Sequence, residues 1–191
     1  MVAIARKRFT LDEYHRLIDW GFFAGKERVE LIRGEIIKMS PKRTPHSVCN
    51  YLLLKELTLM FGDRAIVRGQ EPIFIVPNSE PEPDVVIAVK QDDNYLSSHP
   101  TPKDILLVIE IADSTLKYDQ ETKLSLYAEA GINNYWIFNL GDRHLEVYHQ
   151  PFQDHQGKFA YRSKQIILAE ETVQMPIFDS LTLDLAKVFP G

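Results

Sequence analysis

The sequence has almost no cysteine and no long apolar run. Its 191 residues include one cysteine, Cys49, which cannot form a disulfide within the chain and excludes a cysteine-based zinc cluster. Cys49 lies among apolar residues of a predicted helix, so we expect a buried thiol rather than a nucleophile. No segment approaches the ~20 apolar residues of a membrane-spanning helix, and the N-terminal residues lack the apolar core of a signal peptide. These absences predict a cytoplasmic protein that has no membrane partner.

Positive charge is also scarce. The chain has 22 Lys and Arg residues against 27 Asp and Glu residues, which gives a formal net charge of −5. Such a balance does not attract nucleic acid over the whole surface, so DNA binding would need a local basic patch, a metal ion or a dimer cleft. The candidate cations for a patch, whose usual state is solvated surface charge, are Arg6, Lys7, Arg8, Lys26, Arg28, Lys42 and Arg43.

Nothing in the sequence divides the chain into parts. It has no internal repeat, low-complexity tract or Gly/Ser linker. Hydrophobic residues make up 45% and charged residues 26%, which is typical of globular proteins and excludes a disordered or coiled-coil chain. Since a domain has about 150 residues, we expect residues 1–191 to form a single domain.

Helical and strand-like segments alternate along the chain. Thr10 and Glu13 are spaced as a capping box at the start of a first helix, and helical patterns recur over residues 46–61 and 119–130, each followed by glycine. Hairpins are predicted around Arg33-Gly34, between residues 29–32 and 35–39, and around Gly141-Asp142. Further strands are predicted at residues 65–68, 73–76, 84–89, 105–109 and 135–138. The apolar run 105–109 does not alternate, so we expect a central strand covered on both faces. This order predicts a mixed sheet with helices, of α/β or α+β type.

Glu110 directly follows the most apolar strand of the chain. A buried carboxylate is costly unless it is paired, hydrogen-bonded or bound to a metal, so this position needs a partner. The alternative is that the strand ends at Ile109 and that Glu110 is solvated.

Lys123 presents the same problem on a helix. It falls on the apolar side, with Leu126, Tyr127 and Ala130, rather than on the polar side. It either extends its stem over the edge of the core or turns its ammonium inward toward a carboxylate, for which Glu110 is the nearest candidate in sequence.

Asp84 is the third candidate. Pro83 favours an extended entry, so Asp84 would open a strand at the sheet edge, or else cap a turn. Asp84 and Glu110 on neighbouring strands would form an oxygen-rich site suited to Mg²⁺ or Mn²⁺. Hydrolysis of a phosphodiester uses such an ion together with a lysine that positions the nucleophile or the phosphate.

Pro83-Asp84 followed by Glu110 after a buried strand resembles the PD-(D/E)XK nuclease superfamily. The chain is more closely similar, from about residue 9 to 189, to the bacterial Uma-two family of restriction endonuclease domains. The matching stretches are residues 29–35, 45–47, 82–86, 107–111, 119–127, 130–132 and 135–137.

The resemblance implies a restriction-endonuclease-like core, with a mixed β-sheet flanked by helices and extra β-hairpins. It implies Asp84 and Glu110 as principal metal ligands, Glu30 as an early acid near the metal, and Lys123 as the catalytic lysine. The implied activity is a Mg²⁺- or Mn²⁺-dependent endonuclease on DNA, acting as a homodimer because two active sites are needed to cut both strands.

The sequence departs from the pattern in two places. The superfamily's usual lysine, two residues after the acid, is replaced here by Ala112, so Lys123 must be supplied from the helix. The loop after Glu110 is also one residue shorter than the common family stretch.

Two further residues are candidates for the site. His46, at a helix start, could reach the phosphate or a metal-bound water, or serve the structure alone. Gln70 could face the site from the strand before Pro72.

Two other functions remain open. One is a catalytically silent nuclease-fold module that binds protein or nucleic acid; the other is a glycosidase with paired carboxylates, which has no need of an inward lysine.

Overall fold

The computed structural model describes residues 6–23, 27–178 and 180–191, and Lys26 of the candidate basic patch lies outside them. The helices are α1 (Leu11–Asp19), α2 (Thr44–Phe61), α3 (Leu116–Tyr118) and α4 (Leu124–Glu129), with a π-helical turn at Asp119–Lys123 joining α3 to α4. The strands are β1 (Val29–Ile32), β2 (Glu35–Lys38), β3 (Ala65–Gly69), β4 (Val85–Val89), β5 (Ile105–Ala112), β6 (Asn134–Asn139), β7 (His144–Gln153), β8 (Phe159–Leu168), β9 (Thr172–Gln174) and β10 (Thr182–Asp184).

Local sequence signals explain how the first elements form. The Thr10 side chain accepts from the Glu13 amide and the Glu13 carboxylate accepts from the Thr10 amide, which confirms the predicted capping box. The β1–β2 hairpin turns at Arg33 and Gly34, and Gly34 has φ +77°. A Cβ on Gly34 would lie 2.8 Å from the Arg8 Cβ, so the turn requires glycine for space as well as for backbone angle.

A six-stranded sheet, in the order β3-β4-β5-β6-β7-β8, organises the part of the chain that the structure describes. Its neighbouring strands are antiparallel except β5 and β6, which are parallel. A parallel pair needs a crossover, and the α3–π–α4 segment supplies it. The mixed sheet flanked by helices confirms the predicted fold class.

Each face of the sheet has its own apolar layer. On one face, α2 packs Cys49, Leu53, Leu57 and Phe61 against alternate residues of the central strands. On the other face, α4 packs Leu126 and Tyr127 against the intervening residues. β5 is therefore covered on both sides, as its continuous apolar pattern predicts, and Cys49 is fully buried, as expected.

The largest differences from the sequence prediction concern one strand and two element boundaries. Residues 73–76 do not form a strand, because Pro72 and Pro77 flank them and the amides of Ile73 and Phe74 bond to Pro81 and Pro100 outside any ladder; a single bridge joins Ile75 to Ser79. β5 continues three residues beyond the predicted end, which places Glu110 inside the strand. The helix predicted at 119–130 begins at Leu116 and contains the π turn.

Candidate active site

Strand register places Asp84 and Glu110 directly across from each other on neighbouring strands. The last paired residues of β4 and β5 are Val85 and Ile109, so the next step along the ladder places Asp84 across from Glu110, on the same face of the sheet. Both are buried, with 8% and 4% of their surface exposed. Asp84 Oδ2 accepts from the Ile111 amide at 2.9 Å, a bond that extends the ladder through a side chain and fixes the carboxylate.

Lys123 points into the same place from the crossover. Its Nζ lies 3.0 Å from Glu110 Oε1 and 2.9 Å from Glu30 Oε2, and the residue is 3% exposed. The Tyr127 hydroxyl, one helical turn further on, donates to the same Glu110 oxygen at 2.8 Å. The expected inward lysine and its pairing with Glu110 are therefore present.

Glu30 is held by β1 of the first hairpin, and both of its oxygens are engaged. Oε1 accepts from the Tyr118 hydroxyl at 3.1 Å, while Oε2 accepts from Lys123 and, at 3.2 Å, from the Glu82 amide. These bonds make Glu30 the second counter-ion of Lys123. Its direct binding to a metal stays a prediction.

The π turn is anchored from two sides. The Tyr135 hydroxyl donates to the Asp119 carbonyl at 3.1 Å, and Gln120 Nε2 donates to both Glu146 oxygens, at 2.8 and 3.0 Å. The turn buries the Asp119 and Lys123 side chains together, and the Thr115 hydroxyl donates to Asp119 Oδ2 at 2.6 Å. Single π turns inside helices are frequent at functional sites.

The buried charges of this cluster do not balance. The cluster contains four buried acids, Glu30, Asp84, Glu110 and Asp119, and one buried base, Lys123. The charges of Glu110, Glu30 and Asp119 act on the ammonium of Lys123. Burial, assisted by the other carboxylates and opposed by Lys123, raises the pKa of Glu110 to about 8 and that of Asp119 to about 7. Burial alone would lower the pKa of Lys123, but the surrounding acids outweigh it and raise that pKa well above its ordinary value. The cluster has more acid than base, so a proton or a cation stabilises it.

All five residues of this cluster line one cleft of about 550 Å³. Lys42, Arg43 and Lys117 also line this cleft. The cleft is therefore lined by both acidic and basic side chains.

A family model described as Uma2, putative restriction endonuclease, matches residues 11–186. The chain belongs to the Uma2 family. Its structure is similar to the crystal structure of a putative nuclease belonging to DUF820 from Anabaena variabilis ATCC 29413, with a TM-score of 0.69 and 16% sequence identity, over 95% of this chain and 97% of that one. That likeness shows a shared fold. No curated protein matches the chain significantly.

In this Uma2 chain His46 and Gln70 have different positions relative to the cleft. His46, buried on the first turn of α2, lines the cleft and its Nε2 lies 3.0 Å from Asp84 Oδ2. Its Nδ1 is buried and makes no hydrogen bond within the described residues. Gln70 is not among the residues lining the cleft; its contact with the site is a backbone bond from its amide to the Asp84 carbonyl, at 3.0 Å. The structure thus brings His46, but not the Gln70 side chain, to the acids.

The sequence prediction missed three members of the cluster. The sequence pattern singles out neither Tyr118 nor Asp119 and places Tyr127 on the apolar side of its helix, whereas each makes a side-chain hydrogen bond in the site. Asp119 stands four residues before Lys123, the spacing of an i, i+4 ion pair, and that signal could have found it.

The acids of the Uma2 site fit a hard divalent cation. In the described ranges, no three His, Cys, Asp or Glu side chains form a ready-made ligand set. Mg²⁺, however, binds through one or two carboxylates and keeps several waters, so Asp84 and Glu110 are the pair that would hold it. Because burial raises the pKa of Glu110 to about 8 and that of Asp119 to about 7, a cation bound to this cluster would replace protons that the buried acids otherwise hold. In the same described ranges, no helix is long and apolar enough to span a membrane.

Proposed function

We propose that this Uma2 protein is a Mg²⁺- or Mn²⁺-dependent endonuclease that hydrolyses phosphodiester bonds of DNA. The observation that carries the proposal is the placement of Lys123 Nζ, 3.0 Å from Glu110 and 2.9 Å from Glu30, in a cleft that Asp84 also lines. Membership of a family described as restriction endonucleases and the shared fold support the same reaction class.

Each residue has a role that follows from its contacts. Asp84 and Glu110 would hold the cation, with the Asp84 carboxylate oriented by the Ile111 amide and His46. When bound, the ion supplies an activated water and positive charge against the phosphate. Lys123, oriented by Glu30, places its ammonium where the phosphate gains negative charge in the transition state. Tyr127 holds Glu110 in position.

The test combines metal binding with plasmid cleavage. Titration calorimetry with Mn²⁺ and Mg²⁺ should show binding to the wild type, and the protein should nick supercoiled plasmid in either ion. Asp84→Asn, which keeps the shape of the side chain, should lose both. Glu121→Gln is the matched control, because Glu121 also lines the cleft but is exposed and has no ion pair within the described residues; it should retain both.

Lys123→Ala separates binding from chemistry. It should still bind the cation and should cut at least about 100-fold more slowly, the loss typical of removing one transition-state donor. If the wild type binds neither cation, the catalytic proposal is wrong, and a silent nuclease-fold module that binds protein or nucleic acid becomes the better description.

Cutting both strands requires two such sites, so we also propose that the chain, as one domain, acts as a homodimer. Sedimentation should give twice the chain mass of 22.1 kDa, and linear plasmid should appear together with nicked plasmid.

A further inference from the structure

An acidic cleft that accepts a phosphodiester needs positive charge that is not already neutralised. Most of the basic residues that the sequence suggests for a DNA-binding patch form ion pairs within the structure. The pairs are Lys7 with Glu13 at 2.6 Å, Arg8 with Glu35 at 2.7 Å, Arg28 with Glu82 at 2.5 Å and Arg43 with Asp113 at 2.7 Å. These residues cannot supply free charge to a substrate without losing their partners.

Lys42 differs from the other cations that line the cleft. Lys38 pairs with Glu27 at 2.5 Å, and Lys123 is shared between buried acids. Lys117 is unpaired among the described residues but is exposed. Lys42 is partly buried and has no ion-pair partner within the described ranges.

The surroundings of Lys42 disfavour its charged form. Burial, together with the nearby charge of Arg28, lowers the pKa of Lys42, although Asp84 and Glu82 act in the opposite direction. An ammonium that is partly removed from water and has no ion-pair partner raises the free energy of the protein. A bound anion would stabilise it through a charge-assisted hydrogen bond.

The chain around Lys42 adds positive potential. Lys42 precedes Arg43, the N-cap residue of the 18-residue helix α2. Arg43 makes no side-chain capping bond, and the first turn of α2 carries no acid. The amino end of a helix bears partial positive charge, which attracts an anion. Because the first turn of α2 has no acidic side chain, nothing in that turn offsets this attraction.

We propose that Lys42 binds a backbone phosphate of the DNA strand that enters the acidic cleft. The inference rests on the proposed nuclease function and deepens it, because it assigns a residue that recognises the phosphodiester backbone without reading sequence. Lys42 supplies binding, while Lys123 serves the reacting phosphate.

Fluorescence anisotropy with a labelled 20-nucleotide DNA, in EDTA and in Ca²⁺, tests the assignment. Lys42→Ala should raise Kd about tenfold, and the slope of log Kd against log salt should fall by about 0.7 to 0.9, the change expected for one lost phosphate contact. Lys42→Arg should restore most of the affinity. Lys55→Ala is the matched control, because Lys55 is exposed on α2 outside the cleft, and it should bind as the wild type does.

A scan with single methylphosphonate linkages identifies the contact. Neutralising the phosphate that Lys42 binds should weaken the wild type but not Lys42→Ala. If the wild type binds DNA and Lys42→Ala has the same Kd and salt slope, the assignment of Lys42 is wrong while the nuclease proposal stands. If the wild type neither binds nor cuts DNA, both proposals are wrong.

Discussion

Replacing Lys123 by Met keeps the length of the side chain and removes the ammonium that lies 2.9 Å from Glu30 and 3.0 Å from Glu110. Neither carboxylate can move to water, since both residues are buried. We therefore expect Lys123→Met to lower the free energy of unfolding, and the loss to depend on how far the acids are ionised.

The size of the effect follows from the burial of the pair. Removing one partner of a buried ion pair costs about 3–5 kcal/mol, out of a total stability of about 5–15 kcal/mol for a domain. That cost should be largest at pH 8.5, where in the wild type Glu110, with a pKa of about 8, and Asp119, with a pKa of about 7, are mostly ionised and the charge of Lys123 stabilises them. At pH 5.5 Glu110 and Asp119 are protonated in the wild type, so their share of the cost should disappear, while the pair between Lys123 and Glu30 keeps the loss above zero.

Urea denaturation in EDTA measures this difference. The fluorescence of Trp136, which is 1% exposed, reports loss of the core at both pH values. Lys117→Met serves as the control, because this exposed lysine lies near the start of the same crossover and has no ion pair in the described ranges. The double variant Lys123→Met with Glu110→Gln should regain stability at pH 8.5, since it removes one of the carboxylates left without a partner.

Two results would refute the reasoning. One is an equal loss at pH 5.5 and pH 8.5, which would mean that the ionisation of Glu110 and Asp119 does not govern the contribution of Lys123. The other is a double variant that is no more stable than Lys123→Met at pH 8.5.

Two further predictions concern the same cluster. Because the folded-state pKa of Glu110, about 8, lies above its ordinary value of 4.5, the folded state binds the extra proton; the stability of the wild type in EDTA should fall as pH rises from 4.5 to 8, by at most about 1.4 kcal/mol per pH unit for this group. Melting curves should show this decline, Mn²⁺ should reduce it, and an equally steep decline in Glu110→Gln would contradict the assignment. Gln120→Ala removes both bonds to Glu146 and should lower stability by about 1–3 kcal/mol. Since the π turn carries Lys123, this variant should lower the kcat for cleavage more than it changes KM, whereas unchanged kcat would show that the anchor does not position the lysine.

The parts of the site that the sequence predicts are those where a polar residue interrupts an apolar pattern. Glu110 and Lys123 each break such a pattern, and burial without a partner is so costly that their pairing could be predicted before the contact was seen. Glu30 has no comparable signal, because β1 is short and its acid is indistinguishable from a surface residue in the sequence. The family resemblance alone suggests Glu30, and the structure brings it to Lys123 from a part of the chain that is distant in sequence.

Other features depend on contacts that the local sequence does not contain. The π turn is held by Tyr135 and Glu146 from two different strands, so residues 119–123 by themselves predict an ordinary helix. β8 escaped prediction because most of its residues are partly or fully exposed at the sheet edge, and its pairing with β7 determines its conformation. The short strands β9 and β10 pair only with each other among the described strands, so their conformation also depends on a contact between separate segments.

The parallel pairing of β5 with β6 also bears on the order in which the site assembles. Glu110 and Lys123 are 13 residues apart and belong to one strand–helix–strand unit, so their meeting closes a short loop at little entropic cost. Asp84 joins from β4, and its contact with Ile111 spans 27 residues. The contact between Glu30, on the first hairpin, and Lys123 joins residues that are separated by a much longer stretch of chain. We expect the lysine and its first acid to meet early in folding, the metal-binding acid to follow with the antiparallel ladder, and the hairpin carrying Glu30 to close the site last.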